Sequence, residues 1–398
     1  MLTLPPYSQH EKHWNHDKNI VFLNHGSFGS CPNAILDLQT QIRTRTELDP
    51  IRELVSNFEV NYHENKIALA QFVGSNPNDL VLMKNSTSGA NTILNSLSFN
   101  EGDEILTHSH AYGACINVLK HYAEKQKCKL VIAEIPFPIS SKEEIINAIL
   151  NQVSSKTKFV LLDHITSATG IIFPVEKLTK ELESSGIEVL VDGAHAPGMI
   201  DLNIEALGAS YYIGNGHKWI CSPRGSALMH VRKDKQFKIH PLQISHYNDL
   251  HEGTDAHWSA QFAWPGTDDY SSYLLLKDSI HYMENILGSW ESLRKHNRTL
   301  CLEARKMICE KLNIEIPTPD SMIGHLASIP VQNNPETPSK FFNMITPLKQ
   351  RLMDEYKIQV PVFYFDKTNP KLLLRISVQA YNSMEQFEYL GESLQRAI

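Results

Sequence analysis

The sequence predicts an α/β protein: a large domain with a mostly parallel sheet flanked by helices, followed by a smaller α+β domain. Short apolar runs of strand length alternate with helical patterns between residues 80 and 230, as expected for βαβ units. These runs are almost wholly apolar, which is typical of strands covered on both faces. At 398 residues the chain is also long enough for two domains.

The composition argues against several classes of partner. Lys plus Arg is 37 against 44 for Asp plus Glu, a net charge of −7, so neither nucleic acid nor an anionic membrane is expected as a partner. The N-terminal residues lack the basic start and apolar stretch of a signal peptide, and no uncharged apolar run approaches spanning length. We therefore expect a soluble, cytoplasmic protein.

Cysteine and histidine usage indicates neither a disulfide framework nor a metal site. The six cysteines include no CxxC pair, and in a chain of this size they are interpreted as reduced thiols. None of the 19 histidines lies in an HExxH pattern. His108 and His110 form a close pair without carboxylate or thiol partners nearby in the sequence, so no metal is expected.

Periodicity places the elements along the chain. In the large domain, strands are predicted near 19–23, 80–83, 103–107, 130–133, 159–162 and 189–191, and a turn followed by a strand is predicted within 222–229. Helices are predicted near 33–73 with a break at Asp49 and Pro50, then near 91–97, 115–122, 142–153, 175–183 and 270–312 with a break at Gly288. The second domain is predicted to have strands near 325–331, 360–365 and 372–378, and helices near 339–356 and from 384.

Three parts follow from this pattern. Residues 1–20 are predicted to pack on the small domain, residues 21–270 to form the large domain and residues 271–398 the small one. The irregular stretch 241–270 is long for a loop inside a compact domain. It is interpreted as a lid or as a segment contributed to a partner subunit.

The stretch from 188 to 223 carries the strongest chemical signal. Asp192 ends an apolar strand pattern, and Lys218 follows on a later turn between His217 and Trp219. Pyridoxal phosphate (PLP) uses both groups, an amine that holds it as an imine and a carboxylate that keeps its pyridine nitrogen protonated. Lys218 and Asp192 are therefore interpreted as the anchors of bound PLP.

A second signal lies where the strand at 80–83 meets the next helix. Ser86, Thr87 and Ser88 place hydroxyl groups and free backbone N–H groups at the positive end of that helix, where phosphate binds readily. The pattern is neither a P-loop nor GxGxxG, so a nucleotide is not implied. We interpret these residues as the seat of the PLP phosphate.

Other side chains are expected to converge on the same edge of the sheet. Tyr112, His164 and His195 all follow predicted strands, and ligands of parallel sheets bind at the carboxyl ends of the strands. Tyr112 is a candidate for an aromatic lid over the cofactor ring. Arg375 lies inside an apolar strand, which suits either bidentate capture of a carboxylate or a structural ion pair.

In this order, the motifs resemble the class V aminotransferase family of fold type I PLP-dependent enzymes, and within it the isopenicillin N epimerase-like branch. The resemblance spans nearly the whole chain and depends on these stretches together: LNHGSFG, NSTSGAN, LLDHITSATG, VDGAHAPG, GNGHKW, SPRGSA, WPGTDD and LLLRISVQAYN. It implies the fold of a type I PLP-dependent transferase, with a seven-stranded type of sheet in the large domain.

The resemblance also implies roles at the matching positions. The implied catalytic residues are Lys218 as the Schiff-base lysine, Asp192 as the pyridinium partner, His195 beside the ring's phenolic oxygen, and Tyr112. The implied cofactor-binding residues are Ser86, Thr87, Ser88, Tyr112, His164, Ser167, Asn215, His217, and Gly266 and Thr267 toward the neighbouring subunit's phosphate. The implied substrate-binding residues are Asn24, His25, Gly26, and Arg375 for the α-carboxylate. A homodimer with shared active sites and an amino acid substrate follow from these roles.

Three reactions at the substrate Cα stay open. Reprotonation on the opposite face gives an epimer and needs a second acid, for which Tyr112 or His25 is a candidate. Expulsion of a β-substituent gives a carbon–sulfur lyase of the hercynylcysteine sulfoxide type, and reprotonation at the cofactor gives transamination. The branch resemblance favours an epimerase or racemase.

Two further classes are argued against. A PLP-binding protein without turnover does not require the combination of Lys218, Asp192 and Arg375. Cysteine desulfurases of this fold carry a catalytic thiol shortly before the carboxylate-binding arginine, and here no cysteine lies between Glu310 and Arg375. A persulfide-forming desulfurase is therefore not expected.

Overall fold

The computed structural model describes residues 4–333, 346–366 and 370–398. Its strands are β1 Val21–Phe22, β2 Leu80–Met83, β3 Glu104–His108, β4 Lys129–Ala133, β5 Thr157–Asp163, β6 Glu188–Gly193, β7 Tyr211–Asn215, β8 Ala227–Val231, β9 Leu326–Asn333, β10 Ile358–Gln359, β11 Val362–Phe365 and β12 Lys371–Ser377. The large sheet has seven strands in the order β2-β8-β7-β6-β5-β3-β4. Within it, β8 runs antiparallel to both neighbours and the other pairs are parallel. The predicted α/β class is confirmed.

Helices cover this sheet and connect its strands. They are α1 His25–Phe28, α2 Asn33–Leu48, α3 Phe58–Val73, α4 Ser86–Ser96, α5 Gly113–Gln126, α6 Lys142–Leu150, α7 Val175–Ser184, α8 Ile204–Leu207, α9 His257–Ala260, α10 Leu276–Ile286, α11 Trp290–Leu312, α12 Pro347–Tyr356 and α13 Met384–Ala397. The predicted break between α2 and α3 contains a short π-helical turn, Arg52–Ser56. Part of the helix predicted near 339–356 lies outside the described residues, and the remainder is α12.

The central strands explain why polar groups meet at one edge. All seven residues of β5 except Lys158 are buried, and β6 is buried from Val189 onward, as expected for strands covered on both faces. β5 and β6 are parallel, with Asp163 opposite Asp192. The two strands therefore deliver a carboxylate each to the same end of the sheet.

A second core lies beneath the three-stranded antiparallel sheet β11-β12-β9. It includes Val21 and Leu23 from the N-terminal part of the chain, because β1 pairs in parallel with β10. The long helix α11 contributes to both cores, with Leu293 in the first and Leu300 in the second. The predicted domain boundaries stay predictions.

The N-terminal segment lies against residues near the end of β12. The backbone N–H of Ser8 donates to the carbonyl of Tyr381 at 2.9 Å, and Ser383 Oγ donates to the carbonyl of Pro6 at 2.7 Å. Within the described parts of the chain, no helix is both long and apolar enough to cross a membrane.

Candidate active site

Two acids form the floor of a chamber at the carboxyl ends of β5 and β6. Asp192 Oδ1 accepts the backbone N–H of Ala194 at 2.9 Å, and its Oδ2 accepts the thiol of Cys115 at 3.2 Å. Burial, followed by the nearby Asp163, raises the pKa of Asp192 to about 6. Burial also raises the pKa of Asp163 well above its ordinary value, against the opposing charge of Lys218. Two adjacent buried carboxyl groups resist ionising together.

Lys218 lies across the chamber from this floor, on the turn after β7. Its Nζ is 3.0 Å from His195 Nε2, and the indole N–H of Trp219 donates to His195 Nδ1 at 3.3 Å. Because indole only donates, Nδ1 accepts and the neutral ring carries its proton on Nε2. That proton points at Lys218, which can accept it only as a neutral amine.

The pKa of Lys218 is lowered toward the range in which its amine is neutral. Burial lowers the pKa of Lys218 to about 8. The charge of Asp192 opposes this shift, and the charge of Arg375 adds to it. Burial, then the charge of Lys218, lowers the pKa of His195 well below its ordinary value. Lys218 is thus poised to gain or lose a proton near neutral pH.

Hydroxyl groups at the start of α4 form the third wall. Asn85 caps this helix, since its Oδ1 accepts the backbone N–H of Ser88 at 2.8 Å. Ser86 donates its backbone N–H to Asn215 Oδ1 at 2.9 Å. Its buried Oγ has no hydrogen-bond partner among the described residues. Together with Thr87, it offers donors to an anion at the positive end of the helix.

Arg375, on β12, brings a guanidinium to the site from the second core. Its Nη1 donates to the carbonyl of Ser167 at 2.6 Å and its Nη2 donates to Ser27 Oγ at 2.8 Å. Nε is buried without a partner among the described residues. Burial lowers the pKa of Arg375 to about 10. In the part of the chain that the structure describes, no carboxylate lies within ion-pair distance of it.

These groups line two adjoining chambers. The inner one has a volume of about 170 Å³ and contains Lys218 and both acids, and the outer one has about 400 Å³ and contains Arg375. The residues common to both linings are Ser27, Phe28, Tyr112, Ser167 and Lys218. Phe28 and Tyr112 are 64% and 47% exposed, so the mouth of the site in this single chain is aromatic and open.

Most of the predicted site residues come together here. The inner chamber brings together Ser86, Thr87, Tyr112, Ser167, Asp192, His195, Asn215, His217 and Lys218. The outer chamber adds Asn24 and Arg375. The ring of His217 donates its Nδ1 proton to the carbonyl of Ser226 at 2.9 Å, which leaves Nε2 for another partner.

Six predicted residues line neither chamber. His25 is buried, with Nδ1 2.9 Å from the Tyr381 hydroxyl and Nε2 2.9 Å from the Lys218 carbonyl, and Gly26 packs beside it. His164 Nδ1 is 3.0 Å from the hydroxyl of Tyr212. The other three, Ser88, Gly266 and Thr267, line a separate cavity of about 250 Å³.

The prediction missed several residues that line the site. Asp163 is the most important of them. It ends an apolar strand pattern, and the same feature led to the prediction of Asp192. The helix α1 turns Ser27 and Phe28, and not His25, toward the chambers. Cys115, which donates to Asp192, has no signal in the sequence apart from its place early in α5.

The match to known families decides the identification. Residues 49–390 match the family model for Aminotransferase class-V. The chain belongs to the class-V aminotransferase family. Enzymes of this family use pyridoxal phosphate, so the chain is a PLP-dependent enzyme.

Relatives within the class-V family carry names for different reactions. The chain is 24% identical over 407 residues to the probable chloroplastic L-cysteine desulfhydrase of Arabidopsis thaliana, covering 96% of this chain and 83% of the relative. It is 26% identical over 388 residues to isopenicillin N epimerase of Streptomyces clavuligerus, covering 95% of each. The family is therefore shared while the reaction differs among members.

Solved structures show the same class-V fold. Two structures of the cystine C–S lyase C-DES, one with glycine covalently linked to its PLP cofactor and one with its product cysteine persulfide, each give a TM-score of 0.77 at 20% identity. They cover 95% of this chain and 96% and 97% of those chains. This likeness establishes the architecture.

The residues of this class-V chain fit PLP. Lys218 would supply the amine, and the two acids would supply the negative charge for a protonated pyridine nitrogen. The unpartnered hydroxyl of Ser86 at the start of α4 fits the phosphate. Tyr112 would supply an aromatic ring for stacking. The amine, the acids, the hydroxyl and the aromatic ring that would hold PLP thus all line the inner chamber.

Proposed function

We propose that this enzyme catalyses α,β-elimination from a cysteine-like amino acid, a carbon–sulfur lyase reaction. The observation that carries the proposal is the amine of Lys218, which lies on the wall common to both chambers and is held by His195. The name of the desulfhydrase relative agrees with this reaction. The net change for cysteine itself is cysteine plus water giving pyruvate, ammonia and hydrogen sulfide.

The side chains divide the work as follows. Arg375 binds the substrate α-carboxylate in the outer chamber, where two of its nitrogens are already oriented by Ser167 and Ser27. PLP, when bound, supplies the electron sink that makes the Cα–H bond acidic. Lys218 takes the Cα proton, the Cβ–S bond breaks with its electron pair on sulfur, and Lys218 returns the proton to the leaving sulfur. One amine on one face suffices for both transfers.

Epimerisation is the second candidate, favoured by one specific observation. Tyr112 is the other titratable side chain that borders both chambers, so its hydroxyl is placed to deliver a proton from a second direction. His25 is not, because both its ring nitrogens are engaged by Tyr381 and the Lys218 carbonyl. An epimerase would therefore depend on the Tyr112 hydroxyl, whereas a lyase would not.

One experiment separates the two. The PLP-loaded protein and its Tyr112→Phe variant are incubated in deuterium oxide with L-cysteine, S-methyl-L-cysteine and L-alanine. Pyruvate, ammonia, sulfide or methanethiol, Cα deuterium and product chirality are measured. We expect pyruvate with equimolar ammonia from the two sulfur substrates, with the rate in Tyr112→Phe within a few-fold of wild type. Racemised substrate without pyruvate, and loss of racemisation in Tyr112→Phe, would replace the proposal by epimerisation.

We further infer that two copies of the chain share their active sites. Gly266 and Thr267 line a cavity that does not adjoin Lys218 in one chain, and the mouth of the site exposes Phe28 and Tyr112. A second copy would cover the rings of Phe28 and Tyr112. Gly266 and Thr267 of each copy would then contact the active site of the other. Sedimentation velocity of the full chain should give twice the monomer mass of 45.2 kDa. A monomer with full activity would refute the shared site.

A further inference from the structure

A large cavity outside the active site lies between α3 and the segment 247–263. Its volume is about 600 Å³, within the range of about 300–1,000 Å³ typical of small-molecule pockets. It shares no lining residue with the two chambers around Lys218. Most of its lining is apolar or aromatic, including Val55, Phe58, Val60, Leu250 and Ala260.

One lysine stands out on this lining. Lys66 is only 5% exposed, and its Nζ donates to Ser259 Oγ at 3.0 Å. Among residues 4–333, 346–366 and 370–398, no carboxylate lies within ion-pair distance of it. Burial alone lowers the pKa of Lys66 to about 8. A buried lysine without a counter-charge is rare, because desolvation of the ammonium is costly unless an anion offsets it.

The other charged groups of the cavity are already paired. Glu59 lies 2.9 Å from His251, and Glu64 lies 2.9 Å from Lys277, all four being well exposed. The remaining titratable groups on the lining are His63, Tyr62, whose hydroxyl accepts the backbone N–H of Leu82, and Tyr247. An anion that enters the cavity would therefore meet Lys66 as the interior positive group.

We propose that this cavity binds a small carboxylate with an apolar body, of the medium-chain fatty acid type, with the carboxylate on Lys66. An ammonium has three N–H donors, and one is used by Ser259, whose own hydroxyl donates to the carbonyl of Ala256 at 3.1 Å. The other two suit the two oxygens of a carboxylate. The apolar walls suit a hydrocarbon chain, and burial of that chain would favour binding in proportion to its apolar area.

The test uses decanoate and decanol, below the critical micelle concentration of decanoate, with the full PLP-loaded protein. Isothermal titration calorimetry should show tighter binding of decanoate than of decanol. The substitution Lys66→Met should weaken decanoate at pH 7 by about tenfold or more, the factor that corresponds to one unit of pKa shift, and leave decanol unchanged. Lys306→Met, an exposed lysine on α11, is the matched control and should bind decanoate as wild type does.

Proton uptake gives a second measurement that needs no variant. A bound carboxylate raises the pKa of Lys66 from about 8, so decanoate binding at pH 9 should take up protons and binding should weaken as the pH rises further. Calorimetry at pH 9 in two buffers of different ionisation enthalpy measures this uptake. Equal affinity for decanoate and decanol, no uptake at pH 9, or burial of Lys66 against an acidic residue of a second copy would each overturn the proposal.

Discussion

Two lysines with similar proton affinity lie in very different surroundings. Burial lowers the pKa of Lys218 and of Lys66 to about 8 in each case. Around Lys218, a carboxylate opposes that shift, an arginine reinforces it, and His195 fixes the direction of the amine. Lys66 has one hydrogen-bond partner among the described residues, the hydroxyl of Ser259. A lowered pKa therefore marks a desolvated amine, and only the surrounding acids and the hydrogen-bond geometry tell a reaction centre from a binding pocket.

The comparison is tested most severely by removal of the Lys218 amine. Lys218→Ala should lower kcat by about 10²–10⁴-fold or more, the usual contribution of a general acid–base group, and should abolish the covalent attachment of PLP. Activity and the visible spectrum of the purified variant measure both effects. The matched variant Lys66→Ala should keep kcat, and a comparable loss of turnover there would make the two lysines equivalent.

The second prediction concerns Arg375, which contributes to the pKa shift of Lys218 and not to that of Lys66. Arg375→Ala should lower kcat/KM, mainly by raising KM, while PLP stays bound. The loss should correspond to about 2–5 kcal/mol of transition-state stabilisation, the cost of removing one partner from a buried charge pair. The pKa of Lys218 should rise, since Arg375 lowers it. Steady-state kinetics across pH measures both, and loss of PLP from the variant would contradict the assignment of Arg375 to substrate.

Lys66 should affect stability instead of turnover. Its pKa in the fold is about 8, below the ordinary value of 10.5, so the protonated form opposes folding fully below pH 8, and this cost disappears as the pH rises to 10.5. Lys66→Met should therefore raise the free energy of unfolding at pH 7 by up to about 3 kcal/mol, from a shift of about 2.5 units. Urea denaturation at pH 7 and pH 10 should show the gain shrinking at pH 10. A gain that is independent of pH would show that charge is not its cause.

The smallest predicted effect concerns the second acid near Lys218. Asp163→Asn removes the neighbour that raises the pKa of Asp192, so that pKa should fall from about 6 by about one unit. Carbon-13 NMR of labelled aspartate in the PLP-free protein reports it without reference to activity. If the pKa of Asp192 did not change in the variant, Asp163 would be neutral over the pH range in which Asp192 titrates.

Much of the fold could be predicted because its elements are locally encoded. Strands such as β2 and β5 are apolar runs bounded by turns, and Lys218 and Asp192 have side chains that PLP chemistry requires. No strand was predicted at Tyr211–Asn215, where the structure has β7. The sequence pattern thus predicted the α/β class correctly but not every strand of the large sheet.

The errors in the site have a geometric cause. Side chains alternate at a strand end, so a shift of one residue decides whether Asp163 or His164 faces the chamber, and the structure puts Asp163 there. In the same way, the single turn of α1 decides between His25 and Ser27. Gly266 and Thr267 were assigned to a neighbouring subunit, a role that concerns contacts between chains and not within one.

The helix α11 has a consequence for how this enzyme could diversify. Its 23 residues form a continuous rod of about 35 Å, and it is embedded in both cores. Asp163, Asp192 and Lys218 lie on elements of the first core, and Arg375 lies on β12 of the second. Substitutions around β12 can therefore change which substrates the outer chamber accepts without changing the shape of the inner chamber. Such modularity would let one scaffold exchange substrates without rebuilding its chemistry.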